Sequence, residues 1–224
     1  MATARTHTRE RSPQGEGARL RGELIAAAGR LLAAGADIDT VSLRGVAREA
    51  GVAAPSVYLH FESKDDLLRA VIADHFAALQ RAIELSTTPG TDAASRFLAG
   101  CLAYCRYAAE HPGSYRILFN TPKWALKESG FAGSPGAAAF QTLVDGVAAC
   151  IAAGLAPPGD PFRIATDIWS ALHGAVALRG GTTGFPWPPL EGHVRGILEA
   201  FTGIPYGDLS PDQEIVYDGP TEIA

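Results

Sequence analysis

The fold is decided by residues 42–61, which read SLRGVAREAGVAAPSVYLHF. Ser42 precedes an apolar pattern, and its hydroxyl can cap the first free amides of a short helix that ends at Gly51. A second short helix is predicted from about Ala54 to His60, because Pro55 in its first turn removes an amide that has no partner within the helix anyway. Apolar stripes at helical spacing on both sides of this stretch predict two longer helices that brace the pair.

Two short helices joined by a glycine-containing turn have the geometry of a helix-turn-helix, in which the second helix lies in the major groove of DNA. Ala47 is small where the two helices would cross, Gly51 can adopt a left-handed turn conformation, and Val52 can fill the gap between the helices. The alternative is a three-helix packing unit without a DNA role. That alternative leaves the grouping of polar side chains between positions 58 and 64 without a packing reason.

The same stretch, with Lys64 and Leu67 after it, resembles the TetR family of transcriptional repressors over roughly residues 19–68. The resemblance implies that Ser42 and Arg44 meet DNA phosphates, and that Lys64 pairs with a phosphate at a helix N-terminus. It also implies that residues 53–56 face base edges. The DNA-contacting residues that it assigns are Ser42, Arg44, Ala53, Ala54, Pro55, Ser56, Tyr58, His60 and Lys64.

The recognition helix departs from the family at positions where a hydroxyl or a basic group is common. Alanine stands at 53 and 54 and leucine at 59, so the helix offers few hydrogen-bonding groups. Base readout is therefore expected to use thymine methyl groups, Ser56 and DNA shape rather than paired hydrogen bonds from Arg or Asn. Five arginines from Arg5 to Arg21 form a basic arm that either reaches phosphates or a minor groove, or stays solvated.

The rest of the chain is also predicted to be helical, because it has only short β-branched runs and no long alternation of apolar and polar residues. The expected fold class is all-α, with an N-terminal three-helix helix-turn-helix domain and a C-terminal helical bundle. The expected boundaries are a basic arm over 1–18, the DNA-binding domain over 19–68, a ligand-binding and dimerisation domain over 69–205 and an acidic tail over 206–224. The tail carries five acids and no Lys or Arg.

Charge is spread unevenly along the 224 residues, whose formal net charge is −5. Residues 1–64 hold nine Lys or Arg against seven Asp or Glu, and the remainder holds ten against seventeen, which is a modest indication of a nucleic-acid partner at the N-terminal end. No apolar run reaches the roughly 18 residues that span a bilayer. The polar N-terminus has no apolar signal core, so we expect a cytoplasmic protein that does not contact a membrane.

Residues 169–174, WSALHG, look like the Trp-x-x-x-His-Gly signature of one TetR C-terminal subclass, in which the body binds a small molecule and dimerises. Trp169 and His173 are four residues apart and share one helix face. They either pack in the core or line a ligand cavity in which His173 orients an otherwise apolar ligand. The residues assigned to that cavity are Cys101, Tyr104, Phe119, Trp124, Phe140, Trp169 and His173.

Two apolar stripes near the C-terminus predict contact faces on helices near 161–179 and 190–201. Their members are Ile164, Ile168, Leu172 and Val176 on the first, and Val194, Ile197, Leu198 and Phe201 on the second. Paired with their symmetry mates, the two faces would form a four-helix dimer interface, as a palindromic operator requires. The alternative is that they close the core of a monomer.

Two other functions remain open. Cys101 and Cys105 are four residues apart and could act in a thiol or metal sensor, although inert, reduced thiols are favoured because the spacing is not that of a zinc site. An enzyme on a helical bundle is disfavoured, since the sequence has no Gly-rich phosphate loop, nucleophile elbow or carboxylate pair. We therefore expect no catalytic residue, cofactor or metal, and a regulator that binds operator DNA, a small-molecule effector and a second copy of itself.

Overall fold

The computed structural model describes residues 16–119, 133–182 and 184–207, and this part of the chain contains nine α-helices and no β-strand. The helices are α1 (Glu16–Ala33), α2 (Leu43–Glu49), α3 (Ala54–Tyr58), α4 (Lys64–Leu85), α5 (Ala93–Glu110), α6 (Pro112–Phe119), α7 (Gly136–Ala152), α8 (Pro161–Gly181) and α9 (Leu190–Thr202). The predicted all-α class is confirmed. Within these residues, no helix is both long enough and apolar enough to cross a bilayer.

The chain divides into two compact units, Met1–Val71 and Ile72–Ala224. Helices α1, α2 and α3 and the first residues of α4 belong to the first unit. The rest of α4 and helices α5 to α9 belong to the second. Helix α4 is therefore continuous across the division.

The first unit is built around one face of α1, against which α2 packs, while α3 in turn packs on α2. Its largest fully buried side chains include Leu24, Val46, Val57, Phe61 and Leu67. Complete burial of such a side chain stabilises a fold by about 1.5–3 kcal/mol. These five positions therefore hold the two short helices in place, although neither helix is long enough to be stable by itself.

Helix α5 is the centre of the second unit, because α6, α7, α8 and α9 all pack against it. Leu98, Cys105, Val147, Ile168 and Leu198 are among the buried residues of this core. The approach of α7 to α5 depends on a glycine. A Cβ on Gly146 would lie 2.6 Å from a ring carbon of Phe97, well inside van der Waals contact.

The apolar stripes of α8 and α9 close the core of the second unit, so the prediction of them as a dimer interface is wrong for most of their residues. Ile168, Leu172, Val194 and Leu198 are each at most 2% exposed within this single chain. Ile164, Val176 and Ile197 pack against the same core. Only Phe201 of the eight stripe residues is exposed, and the other large apolar side chains that the two helices expose are Phe162 and Leu178.

Candidate functional sites

Helices α2 and α3 are joined by a tight turn that the local sequence prescribes. The Oγ of Ser42 accepts a hydrogen bond from the Gly45 amide at 3.1 Å and so caps α2. Gly51 has φ +69°, a left-handed conformation that an L side chain rarely adopts. The Val52 amide then donates to the Ala47 carbonyl at 2.9 Å, which closes the turn. The roles predicted for these residues as cap, turn and small crossing residue agree with this geometry.

Five of the nine residues predicted to contact DNA are exposed, and they lie in or next to α2 and α3. Tyr58 is 54% exposed and Leu59 is 67% exposed, although both are large and apolar in their bulk. Exposure of two such adjacent side chains is unusual for a surface that has no partner. The remaining predicted residues divide into exposed ones, namely Ser42, Arg44, Ala53 and Pro55, and half-buried ones, namely Ala54, Ser56, His60 and Lys64.

Lys64 begins α4 and is already engaged within the first unit. Its Nζ donates a hydrogen bond to the Asp39 carbonyl at 2.8 Å, which ties the start of α4 to the loop before α2. An ammonium group has three donors. One is therefore used to position the loop, and the phosphate contact predicted from the family resemblance would use the others.

Two arginines of α1 are also held within the first unit. The guanidinium of Arg21 lies 4.9 Å from the centre of the Phe61 ring, a cation–π contact over a buried residue. Arg30 Nε donates to Glu49 Oε1 at 2.9 Å, which links α1 to the end of α2. The predicted basic arm lies outside the described residues up to position 15, so its contact with DNA stays a prediction.

The second unit contains an aromatic cluster where α5, α6 and α8 meet. The Phe119 ring lies 4.7 Å from the His173 ring and 6.4 Å from the Trp169 ring, between ring centres. Phe140 of α7 extends the cluster, with its ring centre 5.8 Å from that of Trp169. Most of the residues predicted for a ligand cavity are therefore brought together. We refer to Tyr104, Tyr115, Phe119, Phe140, Trp169 and His173 as the aromatic cluster.

The polar atoms of the aromatic cluster are bonded to one another. The Tyr115 hydroxyl lies 2.6 Å from His173 Nδ1 and 2.8 Å from the Tyr104 hydroxyl, while Tyr104 is 3.3 Å from the same Nδ1. Burial raises the pKa of Tyr115 to about 12 and raises that of Tyr104 further. Burial also lowers the pKa of His173. Two neutral phenols and a neutral imidazole therefore share this network at neutral pH.

The sequence interpretation missed Tyr115, which supplies the shortest hydrogen bond of the network. Tyr115 lies eleven positions after Tyr104 and in the next helix, so periodicity along one helix could not pair them. The sequence signal that could have found it is Pro112, which favours the start of a new helix directly after α5. Trp124, predicted for the cavity, lies outside the described residues.

Cys101 is not one of the residues of the aromatic cluster, and its assignment to a ligand cavity stays a prediction. It lies in the core with Cys105 and Cys150, and all three thiols are free and buried. Burial, reinforced by the neighbouring thiols, raises the pKa of Cys101, and burial raises that of Cys105 to about 12. Since the thiolate is the reactive form, the geometry disfavours the alternative of a thiol sensor. Among the described residues, no three His, Cys, Asp or Glu side chains are grouped to hold a metal ion.

A separate concavity of about 380 Å³ opens between α5, α9 and residues 205–206. Four of its nine lining residues are alanine or leucine, and the polar ones include Asp92, Ser95 and Arg195. Arg195 Nη2 donates to Glu191 Oε1 at 2.7 Å, and Nη1 donates to the Tyr206 carbonyl. Arg195 Nε and the Tyr206 hydroxyl have no hydrogen-bond partner among the described residues. None of the residues predicted for the ligand cavity lines this concavity.

Two family models match the chain, one in each unit. The model for bacterial regulatory proteins of the TetR family matches residues 24–71. The model for the tetracyclin repressor-like C-terminal domain matches residues 97–199. The two matches follow the structural division, since the first ends at the last residue of the first unit.

Individual relatives agree with the family models. Rv0681, an uncharacterised HTH-type transcriptional regulator of Mycobacterium tuberculosis, is 33% identical over 144 residues, which are 62% of this chain and 61% of that protein. A structure of a Rhodococcus sp. RHA1 protein of unknown function has a TM-score of 0.65 at 28% identity, covering 86% of this chain and 97% of that one. A TetR-like transcriptional regulator from the same organism has a TM-score of 0.59 at 17% identity, covering 85% and 96% of the two chains, and so shows the same fold.

Proposed function

The chain belongs to the TetR family of transcriptional regulators, and we propose that it is a ligand-responsive repressor that binds a palindromic operator as a homodimer. Members of this family are DNA-binding regulators and not enzymes, and they bind small molecules and act as dimers. The proposal for this chain adds the direction of regulation, the symmetry of its DNA site and a largely apolar effector. The observation that carries it is the exposed pair Tyr58 and Leu59 on a capped helix-turn-helix.

The DNA-contacting surface that we propose comprises the exposed face of α3, the start of α2 and the start of α4. Arg44 is exposed one residue into α2, where a guanidinium can reach a phosphate. Apolar side chains dominate the α3 face, which supports readout through thymine methyl groups and DNA shape. We assign Lys64 a phosphate contact in addition to its hydrogen bond to the Asp39 carbonyl, which holds the loop before α2.

We propose that dimerisation uses the outward faces of α8 and α9 rather than their stripes. Leu178 and Phe201 are 56% and 42% exposed, which leaves apolar surface on both helices for a symmetry mate. A two-fold axis in the protein would match a palindromic operator. Phe201→Glu is expected to shift the protein toward monomer in sedimentation at micromolar concentration. A chain that is already monomeric before the substitution would contradict this part of the proposal.

The effector is proposed to bind at the aromatic cluster and to release the DNA. A ligand shifts a conformational equilibrium only if it prefers one of the two states, so the effector must favour the conformation that does not fit the operator. Helix α4 is the covalent link between the two units, and we assign it the role of transmitting this preference. A small molecule that binds the protein without changing its affinity for the operator would contradict the ligand-responsive part.

The test of the function is a selection of bound sequences from random double-stranded DNA with the full chain, followed by titration of the selected site at several salt concentrations. A palindromic site is expected. Arg44→Gln should weaken binding and reduce the salt dependence by about 0.9 in slope for each phosphate that is no longer neutralised. Arg163→Gln on α8 is the matched control, because this arginine is also exposed but pairs with Asp167 in the second unit. Failure to enrich any sequence would overturn the proposal.

A further inference from the structure

Three of the polar groups of the aromatic cluster fix the position of a hydrogen atom. Tyr104, Tyr115 and His173 meet in a triangle whose sides are 2.8, 2.6 and 3.3 Å between heteroatoms. Each phenol brings one hydrogen, and the neutral imidazole brings one N–H on either Nδ1 or Nε2. The two tautomers of His173 distribute these hydrogens differently, so we can compare how many donors find an acceptor in each.

With the hydrogen on Nε2, every polar atom of the triangle is satisfied. The Tyr104 hydroxyl donates to the Tyr115 oxygen, and the Tyr115 hydroxyl donates to the lone pair of Nδ1. Two hydrogens then serve the two shortest contacts. No buried hydroxyl is left without an acceptor.

With the hydrogen on Nδ1, the triangle contains three donor hydrogens, and one of them has no acceptor. Nδ1 then donates to Tyr115, Tyr115 donates to Tyr104, and the Tyr104 hydroxyl finds its remaining neighbour already protonated. Tyr104 is only 8% exposed, so water cannot readily accept this hydrogen. A buried donor without an acceptor is strongly disfavoured. The geometry therefore assigns the hydrogen to Nε2.

That assignment leaves the Nε2–H as the uncommitted donor of the three groups. None of the described residues forms a hydrogen bond with His173 Nε2. Nε2 is also not among the buried polar atoms of the described residues that lack a hydrogen-bond partner. The neighbouring surfaces are the rings of Phe119 and Trp169, which favour flat apolar groups. No described carboxylate is a hydrogen-bond partner of the triangle, so a cationic ligand would find no countercharge there.

We propose that the effector is a neutral, flat, largely apolar molecule with one hydrogen-bond acceptor such as a carbonyl oxygen, and that His173 Nε2–H donates to this acceptor. The inference rests on the proposed ligand-responsive function, and it specifies the chemical class of ligand. It assigns Tyr115 the role of a positioning residue, because Tyr115 selects the tautomer without touching the ligand. Charged amines and plain hydrocarbons are expected to bind less well than a ketone of the same shape.

The tautomer is tested by ¹⁵N NMR of the histidine rings in the full chain, with the His173 signals assigned by their loss in His173→Phe. The expected result is a hydrogen on Nε2 and an acceptor lone pair at Nδ1. In Tyr115→Phe the Nδ1 signal should move toward that of a mixture of tautomers, because the donor that selects Nε2–H is gone. A hydrogen on Nδ1 in the unaltered protein would overturn the inference.

The ligand class is tested with two probes of matched shape, 2-acetylnaphthalene and 2-ethylnaphthalene, titrated into the full chain by calorimetry. The ketone should bind about tenfold more tightly, as one added hydrogen bond allows. His173→Phe should remove this difference and retain the affinity for the hydrocarbon. Equal affinities for the two probes, or binding of neither, would overturn the assignment.

Binding of the selected DNA site, measured beside these titrations, separates this inference from the proposed function. DNA affinity is measured on the unaltered chain without ligand, because the proposed DNA-contacting surface belongs to the first unit and the hydrogen-bonded triangle to the second. If DNA binding persists and the tautomer is wrong, only the inference fails. If no DNA is bound and the tautomer is right, the proposed function fails.

Discussion

The two units differ in whether their polar and aromatic side chains are exposed to solvent or paired inside the fold. In the first, Tyr58 and Leu59 extend into solvent beside exposed Arg44. In the second, the hydroxyls of Tyr104 and Tyr115 are used internally. On the proposed function, the first unit therefore offers an exposed surface to a large partner. The aromatic cluster of the second unit pairs its two phenols internally and leaves the His173 Nε2–H to a small ligand.

The largest expected effect of a single substitution lies in the packing of the second unit. Gly146→Ala places a methyl group 2.6 Å from the buried Phe97 ring, so α7 must move away from α5 or the ring must leave its position. We expect a loss of about 1–3 kcal/mol in the free energy of unfolding, as overpacking of a core typically causes. Chemical denaturation followed by tryptophan fluorescence measures it, because all three tryptophans, at 124, 169 and 187, belong to this unit.

Gly22→Ala is the matched control in the first unit. A Cβ on Gly22 would meet nothing within 4 Å, and the residue is exposed in the middle of α1. Alanine should therefore stabilise α1 by up to about 1 kcal/mol through helix propensity. If both substitutions destabilise equally, the close approach of α7 to α5 is not the cause.

The second prediction concerns DNA affinity in the first unit. Tyr58→Ala should weaken binding about fivefold to tenfold across all DNA sequences, because the aromatic ring at the proposed interface no longer packs against the DNA backbone. The free energy of unfolding should change by less than about 0.5 kcal/mol, as is usual for an exposed side chain. Leu85→Ala at the end of α4 is the control, since Leu85 is also exposed but lies in the second unit. Equal effects of the two substitutions on DNA affinity would remove Tyr58 from the interface.

The third prediction concerns the cap of α2. Ser42→Ala removes the acceptor for the Gly45 amide and should lower the stability of the first unit by about 1 kcal/mol. Ser42→Asp retains the cap but adds a negative charge where a phosphate is proposed to bind. Hydrogen exchange of the α2 amides measures the first effect, and DNA titration measures the second. If Ser42→Ala leaves the exchange of these amides unchanged, the hydroxyl does not act as a cap.

The sequence predicted the helix-turn-helix of the first unit closely because the features that shape it are local. The cap at Ser42, the left-handed glycine at position 51 and the buried Val57 lie within sixteen residues of one another. Their spacing therefore carries the geometry. What could not be predicted was the bond from Lys64 to the Asp39 carbonyl, because a flexible side chain can reach any of several acceptors.

The second unit was predicted less well because its site is assembled from separate helices. Trp169 and His173 share a helix face, and their proximity was predictable, but Tyr115 reaches His173 from another helix across 58 positions. The apolar stripes of α8 and α9 were correctly located and wrongly assigned. A stripe shows that a face is buried and does not distinguish burial against the same chain, as at Leu172 and Leu198, from burial against a second copy.

The smallest effect sharpens the comparison through pH. His75, His173 and His193 all lie in the second unit, and burial lowers the pKa of each. Above the ordinary value of about 6.5 both the folded and the unfolded chain carry neutral rings, so these residues contribute no pH dependence. Below it the unfolded chain takes up protons first, and stability falls until the folded rings also titrate.

Denaturation of the second unit at pH 7 and pH 5 should therefore show a loss of stability at pH 5. His173→Gln should reduce that loss. An unchanged difference would mean that the pKa of His173 is the same in the folded and the unfolded chain, which would remove His173 as a source of the pH dependence.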